Sequence, residues 1–137
     1  MIKSLVRGKE ISVGVINEVG ALARVTSFLV NHGINLIAIA GYSNNIGDQA
    51  ALIFVTDNNF AAVNELANNG YEQIAENDVI IIDMENRPGA LKNISELMAQ
   101  NGININYFYC TTCSGGCPAK IILSTSNNDK AVEILNS

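Results

Sequence analysis

The spacing of hydrophobic residues along the chain changes from that of a strand to that of a helix, and the same succession occurs twice. Residues 11–16 alternate between apolar and more polar or smaller side chains, a period of two that is typical of a half-buried strand. From Gly20 and again from Gly89, apolar residues recur at helical spacing, and Gly33 and Gly102 follow where a left-handed residue commonly ends a helix. The residues predicted on these helical faces are Leu22, Val25, Phe28 and Leu29 in the first copy and Leu91, Ile94, Leu97 and Met98 in the second.

Two more strand-like runs and a second helix follow in each copy. The runs cover residues 34–40 and 50–55 in the first copy and residues 103–109 and 119–123 in the second. Asp57-Asn58 and the counterpart Ser126-Asn127 are then suitable N-caps for the second helices. The order βαββα, with one further strand, predicts an α+β fold of two ferredoxin-like βαββαβ repeats. Each repeat is expected to have an antiparallel four-stranded sheet with its helices on one face.

The two copies align without a gap. Comparison of residues 11–68 with residues 80–137 gives 17 identities in 58 pairs at an offset of 69. Such a match at a fixed spacing indicates that one supersecondary unit is used twice. We therefore predict two repeats, at residues 1–69 and 70–137.

Each sheet needs a fourth strand, and the sequence offers two ways to supply it. Because Gly8 aligns with an apparent turn, we predict that Ile2 to Val6 pairs antiparallel with Ile11 to Ile16. By the same argument, Tyr71 to Glu76 pairs with Val79 to Met84. In the alternative arrangement, residues 71–76 complete the first sheet, and the second sheet is left open or is filled by the N-terminus.

Composition and charge narrow the range of partners. The chain has 8 Lys+Arg against 13 Asp+Glu, a net charge of -5, and no basic cluster, so nucleic acid is not an expected partner. No apolar stretch approaches the roughly 20 residues that span a bilayer, so no membrane partner is expected. The first residues reach a charge too soon for a signal peptide, and we expect a cytoplasmic protein. With one histidine and no nucleophile beside an evident base, the sequence does not favour an enzyme.

The loops before the first helices carry a family resemblance. Asn86 to Leu91 (NRPGAL), followed by a helix and by Asn101 to Ile105 (NGINI), resembles the ACT domain, a small regulatory module that binds amino acids. Asn17 to Leu22 (NEVGAL) is similar but has Glu18-Val19 in place of Arg87-Pro88. The resemblance covers both repeats. It implies an allosteric regulatory protein with a small amino acid as its ligand, a homodimer, and a regulated metabolic enzyme as a further partner.

The same loops have the chemistry to bind a zwitterion. A helix that begins at glycine presents free N–H groups and the positive end of its dipole to a carboxylate, and asparagine can accept from an ammonium group. Pro88 stiffens the second loop, so we expect binding there in preference to the first loop. In the alternative interpretation, the glycines only make tight turns and the asparagines only cap backbone groups. The predicted ligand-binding residues are Asn17, Gly20, Ala21, Leu22 and Asn35 in the first copy and Asn86, Arg87, Pro88, Gly89, Ala90, Leu91 and Asn104 in the second.

All three cysteines lie in one predicted hairpin of the second copy. A hairpin centred between Cys113 and Ser114 places Cys110 opposite Cys117 and Cys113 at the tip. Three interpretations remain open: a reduced loop of small residues, a thiol switch, or a metal site that takes its remaining ligands from elsewhere. We assign no cofactor to the chain. The alternative function is a metal or thiol-redox protein that uses Cys110, Cys113 and Cys117.

Overall fold

The structure is a computed structural model that describes residues 1–137 as six strands and four helices. In chain order they are β1 (Ile2–Ile16), α1 (Ala21–Val30), β2 (Leu36–Tyr42), β3 (Gln49–Thr56), α2 (Asn59–Asn68), β4 (Ile74–Met84), α3 (Ala90–Gln100), β5 (Ile105–Thr111), β6 (Ala119–Thr125) and α4 (Asn128–Leu135). The chain divides into a first unit, Lys9–Asn77, and a second unit made of Met1–Gly8 and Asp78–Ser137. This α+β element order confirms the predicted fold class. None of the four helices is long and apolar enough to cross a membrane.

The first unit has a four-stranded sheet in the order β2-β3-β1-β4. β1 contributes its second half, in which Ile11 pairs antiparallel with Phe54 of β3. At the other side of β1, the Gly14 N–H donates to the Gln73 carbonyl at 2.9 Å. The residues that follow α2 therefore complete the sheet of this unit.

The second unit uses the order β1-β4-β6-β5. Here the first half of β1 is the edge strand, and the Glu85 N–H donates to the Met1 carbonyl at 3.0 Å. Ile2 and Leu5 pack against the core of this unit. The N-terminus therefore supplies the fourth strand of a sheet whose other strands lie more than 70 residues later in the chain.

The predicted pairing of Ile2 to Val6 with Ile11 to Ile16 is wrong, because both segments belong to the continuous strand β1. For the same reason, Tyr71 to Glu76 does not pair with Val79 to Met84. The alternative, in which the N-terminus fills the second sheet, is confirmed. Gly8 explains the error: it lies within β1, and a Cβ there would be 2.7 Å from Cδ1 of Ile81. This glycine permits close packing and does not make a turn.

Each unit buries one face of its helices against its sheet. Val25 and Leu29 of α1 and Ile94 and Met98 of α3 are buried as predicted. Leu97 is an exception to the predicted faces, with 37% of its surface exposed, and so are Leu22 and its counterpart Leu91, with 52% and 39%. Leu22 and Leu91 lie in the first turn of a helix, next to the candidate ligand loops, and are free to contact a ligand there.

Candidate functional site

The loops before α1 and α3 have the same backbone geometry. Gly20 has φ 88° and Gly89 has φ 87°, a left-handed conformation that favours glycine. Neither α1 nor α3 has a side-chain cap at its N-terminus, whereas α2 and α4 are capped by Asn58 and Asn127. The first N–H groups of α1 and α3 thus lack the side-chain acceptor that the other two helices have, which suits them to an anionic group.

Asn17 has a structural task in the first loop. Its side-chain amide donates to the Asn45 carbonyl at 2.9 Å, and its backbone N–H donates to the Asp48 carbonyl at 2.8 Å. The Gly47 N–H donates in turn to the Asn17 carbonyl at 2.7 Å. Three hydrogen bonds therefore tie Asn17 to the β2–β3 hairpin loop, residues 43–48.

Asn86 is the counterpart of Asn17 and is not tied in this way. It is exposed, and its side chain makes no hydrogen bond in the structure. It faces a groove of about 480 Å³ together with Arg87 and the loop that joins β5 to β6. The side-chain amide of Asn86 is therefore free to bind an external polar group.

Each loop carries one ion pair, and the pair is closer in the first loop than in the second. In the first loop, Glu18 accepts from Arg24 at 2.6 Å, so an acidic side chain lies just before α1. In the second loop, Arg87 lies 3.5 Å from Glu85, and both side chains are partly exposed. A carboxylate is better matched by the second loop, which offers a loosely held guanidinium close to the free amide of Asn86.

An open groove of about 640 Å³ adjoins the first loop. Its walls include the apolar side chains of Leu22 and Ile39, and Ala21 also lines it. Gly41 keeps part of this groove open, because a Cβ at this position would be 2.7 Å from Cδ2 of Leu52. Ser43 lies at its rim with a buried hydroxyl that has no hydrogen-bond partner. This groove has room for an aliphatic side chain next to the start of α1.

The structure does not bring Asn35 and Asn104 to these loops within their units. Asn35 precedes β2, whose Leu36 pairs with Thr56, whereas the loop of Asn17 follows Ile16, which pairs with Gln49. These two positions are at opposite ends of β3, about 23 Å apart. Within one unit, the two asparagines of a copy are therefore too far apart to contact the same small ligand. Each is engaged elsewhere: the Asp57 carboxylate accepts from the Asn35 N–H.

Asn104 of the second unit likewise makes hydrogen bonds away from the candidate loop. Its N–H donates to Ser126 Oγ at 3.0 Å, and its side-chain amide donates to Asn106. Among the other predicted residues of this loop, Ala90 is buried in the core, while Pro88 and Gly89 are exposed. The loop therefore contributes its exposed backbone together with Asn86 and Arg87 to the candidate site.

The cysteines are not arranged as predicted. Cys113 and Cys117 form a disulfide, with Cα atoms 5.8 Å apart, and Cys110 is a free, exposed thiol. Thr111 pairs with Lys120, so the centre of the hairpin loop lies two residues later than expected, between Gly115 and Gly116. Cys110 consequently pairs with Ile121 and not with Cys117. Partial burial raises the pKa of the Cys110 thiol. The structure contains no group of three or more side chains suited to hold a metal ion.

An ion pair marks another difference between the units. Lys120 Nζ lies 2.8 Å from Asp83 Oδ1 on adjacent strands. The hydrogen bond from Lys120 lowers the pKa of Asp83. A weaker hydrogen bond from Ser4 lowers the pKa further, whereas partial burial raises it. The first unit has the uncharged pair Gly14 and Ala51 at the same register.

Three of these features were not foreseen from the sequence: the attachment of Asn17 to Asn45, the buried hydroxyl of Ser43 and the disulfide beside Asn86. All three depend on where the hairpin loops fold back. The sequence signal for these loops is the glycine at equivalent positions of the two copies, Gly47 and Gly116. Both glycines have a positive φ, so the two loops have an equivalent conformation at this point.

Comparison with known families identifies the chain. The sequence model of the family described as "ACT domain pair" matches residues 6–137. The protein belongs to this ACT domain pair family. A comparison with curated protein sequences gives no match.

Solved structures share the fold of this ACT domain pair. Protein BT0572 from Bacteroides thetaiotaomicron aligns with a TM-score of 0.86 and 28% identity, over 96% of this chain and 88% of that one. The ligand-free regulatory subunit of aspartate kinase from Thermus thermophilus aligns with a TM-score of 0.69 and 16% identity, over 98% and 96% of the two chains. The regulatory subunit from Thermus flavus aligns with a TM-score of 0.64 and 18% identity, over 98% and 94%. The paired ACT-domain architecture predicted from the sequence is thus confirmed.

Proposed function

We propose that this ACT domain pair is an allosteric regulatory module that senses a small amino acid through the loops before α1 and α3. The observation that carries the proposal is the helix start shared by both units. In each, a left-handed glycine leaves the first turn without a side-chain cap. An open groove is lined by the first turn of α1, and the groove of the second unit reaches Arg87, two residues before Gly89. In the capped helices α2 and α4, the side chains of Asn58 and Asn127 already accept from an N–H group of the first turn.

The two ends of an amino acid suit different parts of these loops. Its carboxylate would accept from N–H groups of the first helical turn other than those of Ala21 and Ala90, which already donate to loop carbonyls. In the second loop it would also be attracted by Arg87. Its ammonium group would donate to the side-chain oxygen of Asn86. In the first loop, the side-chain amide of Asn17 already donates to Asn45, so it has less capacity for a ligand. This contrast supports the second loop as the preferred site.

The similarity to regulatory subunits of aspartate kinase supports a role in controlling a metabolic enzyme. In this proposal the protein binds the amino acid without transforming it and transmits the signal to a partner enzyme. We further propose that the chain acts as a homodimer. Ile37 and Ile39, on the edge strand β2, are each 41% exposed and offer apolar surface for a second copy.

A thermal-shift screen of the twenty amino acids tests the proposal. We expect one or a few related small amino acids to raise the melting temperature in a saturable way, because a ligand that binds only the folded state stabilises it. The C-terminal amide of the best amino acid is the matched control, since it keeps the side chain and the ammonium group but loses the carboxylate. The amide should give no shift. A screen without any saturable shift, or an amide that binds as well as the acid, would refute the proposed site.

A further inference from the structure

The hairpin loop between β5 and β6, residues 112–118, is closed by a covalent bond. Cys113 and Cys117 form a five-residue ring that also contains Ser114, Gly115 and Gly116. Every residue of the ring is exposed, so small thiols and disulfides can reach it. The ring contains two glycines and therefore has little intrinsic stiffness once the bond is broken.

The equivalent loop of the first unit is closed without a covalent bond. Asn44 and Asp48 occupy the positions of Cys113 and Cys117. That loop is closed by a hydrogen bond from the Asn45 side chain to Asp48 at 3.3 Å and by the three bonds to Asn17. In the second unit, Asn86 makes none of the corresponding hydrogen bonds. The disulfide thus replaces a set of hydrogen bonds as the constraint on the loop.

The closed loop also forms a wall of the candidate ligand groove. Cys113, Cys117 and Pro118 line the same groove as Asn86 and Arg87. A change in the conformation of this loop must therefore change the shape of the groove. The first unit has no such control, because Asn17 holds its loop through hydrogen bonds that do not respond to redox conditions.

We propose that Cys113 and Cys117 form a reversible thiol–disulfide exchange site whose oxidation state controls the groove at Asn86 and Arg87. Oxidation proceeds by attack of one thiolate on a small disulfide such as oxidised glutathione, which releases one thiol and leaves a mixed disulfide. The second cysteine then attacks the protein sulfur and releases the other thiol, so two protein thiols and one disulfide give one protein disulfide and two small thiols. The control of ligand affinity rests on the proposed function, whereas the exchange site itself does not.

Hydrogen exchange followed by mass spectrometry tests the site without any ligand. The full-length protein is equilibrated in glutathione buffers of different reduction potential, and alkylation with mass measurement counts its free thiols. We expect reversible loss of two thiols, together with slower amide exchange in residues 112–118 and 85–89 of the oxidised form, by about tenfold. Cys110→Ser should behave like the parent. Cys113→Ser and Cys117→Ser should each remain in the fast-exchanging form at every potential.

The thermal-shift screen of the twenty amino acids is then repeated on oxidised and reduced protein. We expect the shift given by the best amino acid to differ between the two forms, and the difference to disappear in Cys113→Ser. Failure of the disulfide to form or to be reduced in the folded protein would overturn the proposal. Equal exchange at residues 85–89 in both forms would also overturn it. If exchange depends on the redox state but no amino acid binds either form, the exchange site stands and the proposed function fails.

Discussion

The side-chain amide of Asn17 donates to the Asn45 carbonyl at 2.9 Å, whereas the equivalent amide of Asn86 makes no hydrogen bond. The two residues are identical and aligned in the duplicated sequence. The residue type is therefore the same in the two copies, but its structural role differs. In the first unit the asparagine stabilises a loop, and in the second it is available for a ligand.

The divergence predicts different costs for the same substitution. Asn17→Ala should lower the free energy of unfolding by about 1 kcal/mol, because it removes a hydrogen bond that holds the hairpin loop. Asn86→Ala should change it by less than about 0.5 kcal/mol, as expected for an exposed surface position. Urea denaturation of the two variants measures both values. Equal losses in the two variants would show that the amides have the same structural role.

The division of the chain into residues 9–77 and the remaining residues predicts which fragment folds alone. Residues 9–77 contain all four strand segments of the first unit, whereas the equally long fragment 1–69 lacks β4 and carries a strand of the second unit. Both are close to the lower size limit for an independent domain. We expect the 9–77 fragment to unfold cooperatively on heating and the 1–69 fragment to show no cooperative transition, as followed by circular dichroism. The reverse result would exclude the unit boundaries described above.

The ion pair between Asp83 and Lys120 predicts an acid-dependent stability. Because the folded-state pKa of Asp83 is lowered, the stabilisation is complete above the unfolded value of about 3.9 and is lost as pH falls through the folded pKa. Asp83→Asn should therefore reduce the fall in free energy of unfolding between about pH 6 and about pH 3. Urea denaturation at each pH measures the effect.

Asp129→Asn is the control for this measurement. Its carboxylate pairs with Arg7, but 80% of the Asp129 side chain is exposed, so solvent screens the pair. At neutral pH this variant should change the free energy of unfolding by less than about 0.5 kcal/mol, as expected for an exposed pair. An unchanged dependence in Asp83→Asn would show that the ion pair contributes nothing measurable to stability.

The asparagines at the start of α4 predict a graded loss of stability. The side chain of Asn127 accepts only from the Lys130 N–H, and Asn127→Ala should cost about 1 kcal/mol as the loss of an N-cap. Asn128 accepts from the Thr125 N–H and hydroxyl and donates to the Asp78 carbonyl, so Asn128→Ala should cost about 1–3 kcal/mol. Thermal and urea denaturation of the two variants give the order. A larger loss for Asn127→Ala would contradict the assignment of Asn128 as the more extensively bonded residue.

Local sequence signals predicted most of the elements in this fold. The helices begin after Gly20 and Gly89, and the left-handed Gly33 and Gly102 follow their ends, because these conformations depend on glycine itself. Asn58 caps α2 as expected from its short polar side chain. Such features involve residues only a few positions apart, so the sequence contains the whole interaction.

Long-range pairing was harder to predict. Gly8 fits a turn as well as it fits a strand in close contact with Ile81, and only the packed structure distinguishes the two. The positions of Cys110 and Cys117 depend on strand register, which shifts at an irregularity between Ile105 and Tyr107. At the candidate site, the structure confirms that α1 and α3 begin after Gly20 and Gly89 without a side-chain cap. The distant placement of Asn35 and Asn104 follows from pairing that no local motif specifies.

Isothermal titration calorimetry tests the central claim, amino-acid binding at the loop before α3, most directly. The amino acid with the largest thermal shift is titrated into the parent protein, Asn86→Ala and Asn104→Ala. We predict saturable binding to the parent protein, an affinity at least about tenfold weaker in Asn86→Ala because a hydrogen bond to a charged group is lost, and an unchanged affinity in Asn104→Ala. The absence of saturable binding, or the same affinity in Asn86→Ala as in the parent protein, would contradict this account.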